Sequence, residues 1–259
     1  MNKFDIEKSF ITQLIQLNQK FYSNVHKDFH NSRKYPWEGW KRLIKRIPKY
    51  KSLKNNSILH KNQIESVLDV GCGNGRFAHF LAKSYSKLTY IGVDFSKELL
   101  ARAKFYLSRT DFKYRLLHAD LLHNWNKKIT SKFDLIVAFG LFHHIPGYEN
   151  RKKLLKKIVS MLNKNGIFVI TVWQFPKFDR FRKKILSKNQ IKKKTGINPK
   201  LLKKNDYILD WQRTNFRYCH YLNEEEVQIL YPKSVKLIDI YEADGRTENI
   251  NKYYIFTLK

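Results

Sequence analysis

The sequence predicts an α/β fold: a mostly parallel seven-stranded sheet with helices on both faces and an antiparallel pair of strands closing its C-terminal edge. Three observations predict it. Short apolar runs alternate with amphipathic stretches over the middle of the chain. The segment VLDVGCGNGRFA, Val67 to Ala78, places a glycine-rich turn directly after the first apolar run. The last two apolar runs have no helix between them, which suits antiparallel neighbours.

The elements follow in order. From Ile6 to about Lys27, Phe10, Leu14, Leu17 and Phe21 recur at helical spacing, and Ile11, Ile15 and Tyr22 widen the stripe. After the polar break HNSRKYPWEG, a second short helix puts Trp40, Leu43, Ile44 and Ile47 on one face. Arg42, Lys45 and Arg46 lie on the other face, and Pro48 is expected to stop the helix. SVLDV, LTYIGVD, YRLLHAD, FDLIVAF and GIFVITVW read as strands, with helices near residues 75–86, 96–108 and 149–163. Such alternation implies right-handed crossovers and a parallel sheet. SVKLIDIY and YYIFTL form the antiparallel edge. Lys177 to Lys204 carries 12 Lys/Arg and a single acid, Asp179, and is expected to be a surface insertion or mobile loop.

At about 150 residues per domain, 259 residues allow one large domain or one with an appendage. The expectation is one domain in four parts: a helical cap (1–60), a cofactor-binding core (61–174), a basic insertion with a substrate-side segment (175–222), and a C-terminal helix with the strand pair (223–259).

The 51 Lys+Arg against 22 Asp+Glu give a net charge of +29, which favours a polyanionic partner such as nucleic acid or an anionic membrane face. Because 38 of the 51 are Lys, and Asn and Ile are abundant, an AT-rich genome would also contribute to this bias. Two cysteines make neither a disulfide framework nor a four-cysteine zinc site, and suit a reducing compartment. The N-terminus MNKFDIEKSF lacks the apolar core of a signal peptide, and no uncharged apolar run reaches the ~18 residues of a membrane span. A cytoplasmic protein is expected.

The glycine turn narrows the ligand. Gly71, Gly73 and Gly75 are spaced G-x-G-x-G, and Arg76 stands where a dinucleotide fingerprint would have its third glycine. Asp94 ends the next strand, where a carboxylate can accept hydrogen bonds from both hydroxyls of a ribose. Asp120 ends the third strand, where a side chain or backbone group can meet an adenine amine, and Asp69 is available to a cationic amino group. An adenosine with an amino-acid tail and no diphosphate fits these places.

VLDVGCGNG, GVDFS, HAD and FDLIVAFGLFHHI, in this order, resemble the successive motifs of class I S-adenosylmethionine (SAM) methyltransferases. The resemblance implies a Rossmann-like fold and SAM as cofactor. It implies binding by Tyr22, Arg33, Asp69, Gly71, Cys72, Gly73, Gly75, Asp94, Phe95, Asp120, Leu121 and Phe139.

The flanks are more specific. FYSNVHKDFHNSRKYPWEGW, through Tyr22, Phe29, Arg33, Pro36 and Trp37, resembles the tRNA methyltransferases that esterify carboxymethyluridine at the wobble position, including the domain fused to an AlkB-type hydroxylase. HHIPGYENRKKLLKKIVSMLNKNG with VITVWQF, and NDYILDW with FRYCHYLNEEEV, resemble further segments of that family. The chain departs from it at Cys219, where the family usually has Tyr, at Lys152, where it has a second Arg, and in the closing EADGRTENINKYY. The resemblance implies a tRNA substrate and a small zinc-containing activator subunit.

Methyl transfer from a sulfonium is an in-line displacement, so alignment in a dry site supplies much of the acceleration. A carboxylate acceptor is already ionised and needs no general base, only a cation and donors to position it. Arg33, His143, His144, Arg151, Tyr218 and His220 are the candidate catalytic residues, and Arg217 lies in the same segments. Bland roles stand beside each: one histidine as a packing residue, Arg33 on the SAM carboxylate, and Tyr218 and His220 as braces of the C-terminal region. Trp37, Trp173 and Trp211 are either core residues or stacking platforms for unpaired bases.

No Asn/Asp-Pro-Pro-Tyr/Phe follows the fourth strand, which argues against methylation of an exocyclic base amine. No Pro-Cys nucleophile is present, Cys72 reads as small filler in the turn, and isolated adjacent histidines suggest no metal site. KRLIKRIPKYKSLK and the lysine insertion either track tRNA phosphates or are solvated surface. Two rivals remain: a small-molecule methyltransferase of the same fold, and a non-catalytic RNA-binding or scaffolding subunit.

Overall fold

The structure, a computed structural model, describes residues 2–31, 35–52 and 64–259. Helix α1 (Lys3–Asn31) buries Phe10, Leu14, Phe21, Tyr22 and Val25, so the apolar stripe of the sequence is its inner face. Helix α2 (Glu38–Ser52) buries Trp40, Leu43, Ile47 and Tyr50 and runs through Pro48 instead of stopping there. The last turn is held from outside: Arg46 and Tyr50 both bond the Asp239 carboxylate, an attachment that offsets the backbone bond lost at the proline.

Strands β1 (Ser66–Val70), β2 (Thr89–Asp94), β3 (Lys113–His118), β4 (Phe133–Ala138) and β5 (Leu162–Trp173) are parallel. Helices α3 (Arg76–Leu81), α4 (Lys97–Leu107) and α5 (Tyr148–Val159) connect them, α3 and α5 being shorter than their sequence patterns suggest. Four further helices and strands follow: α6 (Asp179–Arg182), α7 (Lys188–Thr195), β6 (Asp206–Trp211) and β7 (Asn215–His220). Helix α8 (Glu224–Leu230) leads into β8 (Val235–Ala243) and β9 (Asn251–Leu258).

The main sheet runs β3-β2-β1-β4-β5-β9-β8, with β9 antiparallel to both neighbours, as expected for a Rossmann-like sheet with an antiparallel edge. Alternation along the strands separates two cores. Leu68, Val70, Ile136 and Phe168 pack on one face with α5 and α8, and Val67, Tyr90, Val137 and Ile255 pack on the other with α2 and α3. From β1 the chain winds outward to β3, then returns to β4 on the other side. Ligand crevices open at the carboxyl ends of strands at such a reversal.

Lys177–Lys204 is folded rather than a loose loop. Leu186, Ile191 and Ile197 are buried in one cluster with Phe10, Leu14, Ile208 and Tyr218. A fully buried aliphatic side chain contributes roughly 1.5–3 kcal/mol, so three of them anchor the segment while its lysines stay outside. Helix α7 also carries its own start and stop, a Ser187–Gln190 capping box and a left-handed Gly196.

The β6–β7 hairpin is a second sheet that the sequence pattern did not reveal. Its turn uses Gln212 (φ 55°) and Arg213 (φ 64°), residues that do not advertise a left-handed conformation. No described helix is long and apolar enough to cross a membrane.

Candidate active site

The glycine turn closes over the end of β1. Gly71 (φ 77°) adopts a conformation other residues resist, and an added Cβ there would meet Leu141 Cδ1 at 3.0 Å. Gly92 on β2 leaves room for Cys72, since a Cβ at Gly92 would stand 2.8 Å from the Cys72 sulfur. Cys72 thus packs against Gly92 and also lines the cleft described below. Gly75 (φ 71°) starts α3 behind the turn, where an added Cβ would meet that of Ala103 at 2.8 Å. It packs helices together and does not line the ligand space.

Two connected spaces open above the strand ends. The first is a groove of about 130 Å³ lined by Tyr22, Gly71, Gly73, Asp94, Phe95, Asp120, Leu121, Phe139 and His144. The second is a cleft of about 550 Å³ that shares Tyr22, Gly71, Gly73, Phe139, Gly140 and His144 with the groove.

Asp94 braces the turn it faces: Oδ2 accepts from the Gly73 amide at 2.8 Å and Oδ1 from the Ser96 amide at 2.9 Å. Each oxygen keeps a second lone pair for a hydroxyl in the groove. Burial raises the Asp94 pKa against the pull of those amides. Asp120 lies two residues beyond the end of β3, accepts from the Leu122 amide at 2.8 Å, and also faces the groove.

Asp69 is 3% exposed and lines the cleft side. Burial pushes its pKa up to about 7 although the Tyr90 hydroxyl donates to it at 2.8 Å, and the Asp94 charge adds to the rise. A buried carboxyl poised near neutrality favours a cationic partner.

The candidate acceptor-side residues divide. His143 and His144 line the cleft with ring centroids 4.1 Å apart, and His143 lies 5.4 Å from Trp173. Arg151, Tyr218 and His220 do not line it. Arg151 donates to Glu226 Oε1 at 2.6 and 3.0 Å, and His220 lies 2.6 Å from Glu226 Oε2 and 2.7 Å from Asp206 Oδ1. Tyr218 donates to the same Asp206 oxygen at 2.6 Å. This buried network ties α5, β6, β7 and α8 together, and in it the three side chains bond to Glu226 and Asp206. Arg33 lies outside the described residues.

Sequence reasoning missed Asn18 and Gln19 of α1, which line the groove, and Arg76, Arg180, Phe181 and Asp244, which line the cleft. Arg76 had a signal, since it occupies the place of a dinucleotide glycine. Its guanidinium sits 4.9 Å from the Trp40 ring centroid and 5.2 Å from that of Trp37, and burial lowers its pKa to about 10. Asp244 accepts from the Gly39 amide, Asn251 and Tyr253, which fixes the start of α2 to the sheet edge. His143, His144 and Cys219 also bring three ligand-type atoms within 4.8 Å, a grouping the adjacent histidines alone did not suggest. His144 directs one ring nitrogen at the Tyr22 hydroxyl and the other at the Tyr218 carbonyl.

Residues 68–168 match the family model described as a methyltransferase domain. The chain is 29% identical over 115 residues to a ubiquinone biosynthesis O-methyltransferase of Rickettsia typhi, covering 44% of each chain. It is 28% identical over 108 residues to a tRNA (carboxymethyluridine(34)-5-O)-methyltransferase of Arabidopsis thaliana, covering 41% of this chain and 24% of that one. The chain spans about half the length of the first curated relatives it matches. Among solved structures, a SAM-bound amino pentose methyltransferase from Micromonospora echinaspora superimposes with a TM-score of 0.57 at 12% identity, covering 91% of this chain and 97% of that one. That likeness is one of fold. The methyltransferase-domain match thus lies within a sheet of the fold that this structure shares with the amino pentose methyltransferase.

Proposed function

We propose that the protein transfers a methyl group from SAM to the carboxylate of a carboxymethyl group on a tRNA wobble uridine. The observation that carries this reading is the cleft beside the cofactor groove, lined by Arg76, Arg180 and Arg217 together with the indoles of Trp37, Trp173 and Trp211. Pockets for small ligands run to roughly 300–1,000 Å³, so a cleft of about 550 Å³ accommodates a flipped-out nucleoside. Flat rings suit an unpaired base and guanidinium groups suit its acid.

The groove residues fit the cofactor. Gly71 and Gly73 let the backbone approach it, Asp94 would accept from its ribose, and Phe95 and Leu121 offer apolar walls to its base. Asp69 would face its amino group across the join with the cleft. Bound SAM supplies an electrophilic methyl on a sulfonium. The protein's part is to hold the acceptor oxygen in line with it and exclude water. No side chain need remove a proton, because a carboxylate is ionised at neutral pH.

The exposed lysines of α7 and its surroundings, Lys188, Lys192, Lys193 and Lys200, line a separate surface depression that would meet tRNA phosphates. A small zinc-containing activator belongs to the same proposal.

The test supplies radiolabelled SAM with tRNA from the host, with and without such an activator, followed by nucleoside analysis by mass. Label on a wobble uridine that mild alkali releases as methanol supports the ester. Alkali-stable label places the methyl elsewhere on RNA. Label transferred only to a small acid, indifferent to salt, supports the small-molecule rival, and absence of SAM binding supports the non-catalytic one.

A further inference from the structure

Arg217 stands on β7 opposite Leu209 and is 6% exposed, yet it lines the cleft. Its guanidinium carbon lies 4.8 Å from the Trp173 ring centroid, 5.3 Å from that of Phe21 and 5.8 Å from that of Trp211. Among the described residues no carboxylate pairs with it, in contrast to Arg46, Arg151 and Arg182, which all have one. A buried cation without a counter-charge is expensive to keep. Aromatic rings offset part of that cost, but they supply no oxygen acceptor for its N–H groups.

We propose that Arg217 and the rings of Trp173, Trp211 and Phe21 form a carboxylate subsite that grips the acid of the acceptor by its N–H edge. The inference rests on the proposed function for the identity of the acid. A guanidinium edge matches a carboxylate with two parallel hydrogen bonds, which fixes both oxygens and presents one of them to the methyl. In the transfer that oxygen forms the new bond to carbon, the carbon–sulfur bond breaks, and its electron pair stays on sulfur. The acceptor thereby loses its charge. An uncharged ester holds an arginine less tightly than the acid does, so the same subsite that captures substrate releases product.

The experiment uses the full chain saturated with S-adenosylhomocysteine, titrated calorimetrically with the nucleoside 5-carboxymethyluridine and with its methyl ester. The acid should bind at least tenfold more tightly than the ester. Arg217→Gln should bring the acid to the ester's affinity while leaving S-adenosylhomocysteine affinity within twofold, and Arg217→Lys should recover part of the difference. Retained cofactor affinity shows that both variants are folded. Equal binding of acid and ester by the unaltered protein, no acid binding at all, or an acid preference that survives in Arg217→Gln would overturn the subsite. If the acid preference holds but tRNA accepts no label, the subsite stands and the tRNA reading falls.

Discussion

The Tyr22 hydroxyl lies 2.7 Å from Nε2 of His144, while Nδ1 of the same ring faces the Tyr218 carbonyl at 3.1 Å. A carbonyl only accepts, so Nδ1 carries the proton and Nε2 accepts from the tyrosine. Asn18 reinforces the junction, donating to the His144 carbonyl at 3.2 Å and accepting from the Tyr218 amide at 2.8 Å. Helix α1, the turn after β4 and strand β7 thus meet at the wall between groove and cleft.

Tyr22→Phe should therefore act on the cofactor as well as on stability. Losing one hydrogen bond costs about 1 kcal/mol. The freed His144 ring should raise the SAM dissociation constant severalfold, because both side chains line the groove. Denaturant unfolding and calorimetric SAM titration check the two effects. Unchanged SAM affinity would reduce the pair to a packing contact.

Asp69 should give SAM binding a pH dependence. Burial holds its pKa up near 7 in the free protein, whereas a cationic amino group from the cofactor would favour the ionised form. Binding should then release a proton around neutrality, and affinity should rise between about pH 6 and 8 before levelling. The free protein behaves in the opposite sense. The unfolded chain ionises this group from about pH 4 upward, so its contribution to stability declines from there to about 7. In Asp69→Asn both slopes should vanish, as calorimetry in buffers of different ionisation enthalpy will show.

How far the sequence disclosed this follows from what each signal depends on. The main sheet was legible because parallel strands buried on both faces show as continuous apolar runs, and so was the placement of Asp69, Gly71 and Asp94 at or beside strand ends. The β6–β7 hairpin was hidden by a turn built on Gln212 and Arg213. The lysine segment misled because Leu186, Ile191 and Ile197 are spread among charges that snorkel outward, so composition outweighed the few residues that fix its place. The bonds of Arg151 and His220 were not legible because their partner Glu226 lies on α8, and only the fold brings it to them.

Substitution at Gly73 should separate cofactor binding from folding. The glycine adopts φ 53°, and an added Cβ would meet no neighbour closer than Leu99 Cδ1 at 4.0 Å, so the space it would fill is the groove itself. Gly73→Ala should cost about 1–2 kcal/mol for the left-handed backbone and weaken SAM binding more than tenfold. A variant that melts slightly early and still binds SAM normally would place the cofactor elsewhere.

The network of Arg151, Glu226, His220, Asp206 and Tyr218 should govern stability and leave the cofactor alone. Burial opposes the charge on His220, but hydrogen bonds to Asp206 and Glu226 outweigh it and raise the pKa. A raised histidine contributes fully below its ordinary value of about 6.5, and the contribution is lost as pH rises through the folded value. Burial likewise opposes ionisation of Asp206 and Glu226, and their bonds to His220 prevail and lower both pKa values. Their contribution is present above about pH 4 and lost as pH falls through the depressed values. The wild type should thus lose stability relative to His220→Asn on the alkaline side. Arg151→Met, which leaves the mostly buried Glu226 without its arginine, should cost about 3–5 kcal/mol. Urea unfolding from pH 5 to 9 measures both, and SAM affinity should stay within twofold because none of the five lines the groove. A fall in methyl transfer with unchanged stability would instead return Arg151 or His220 to the substrate.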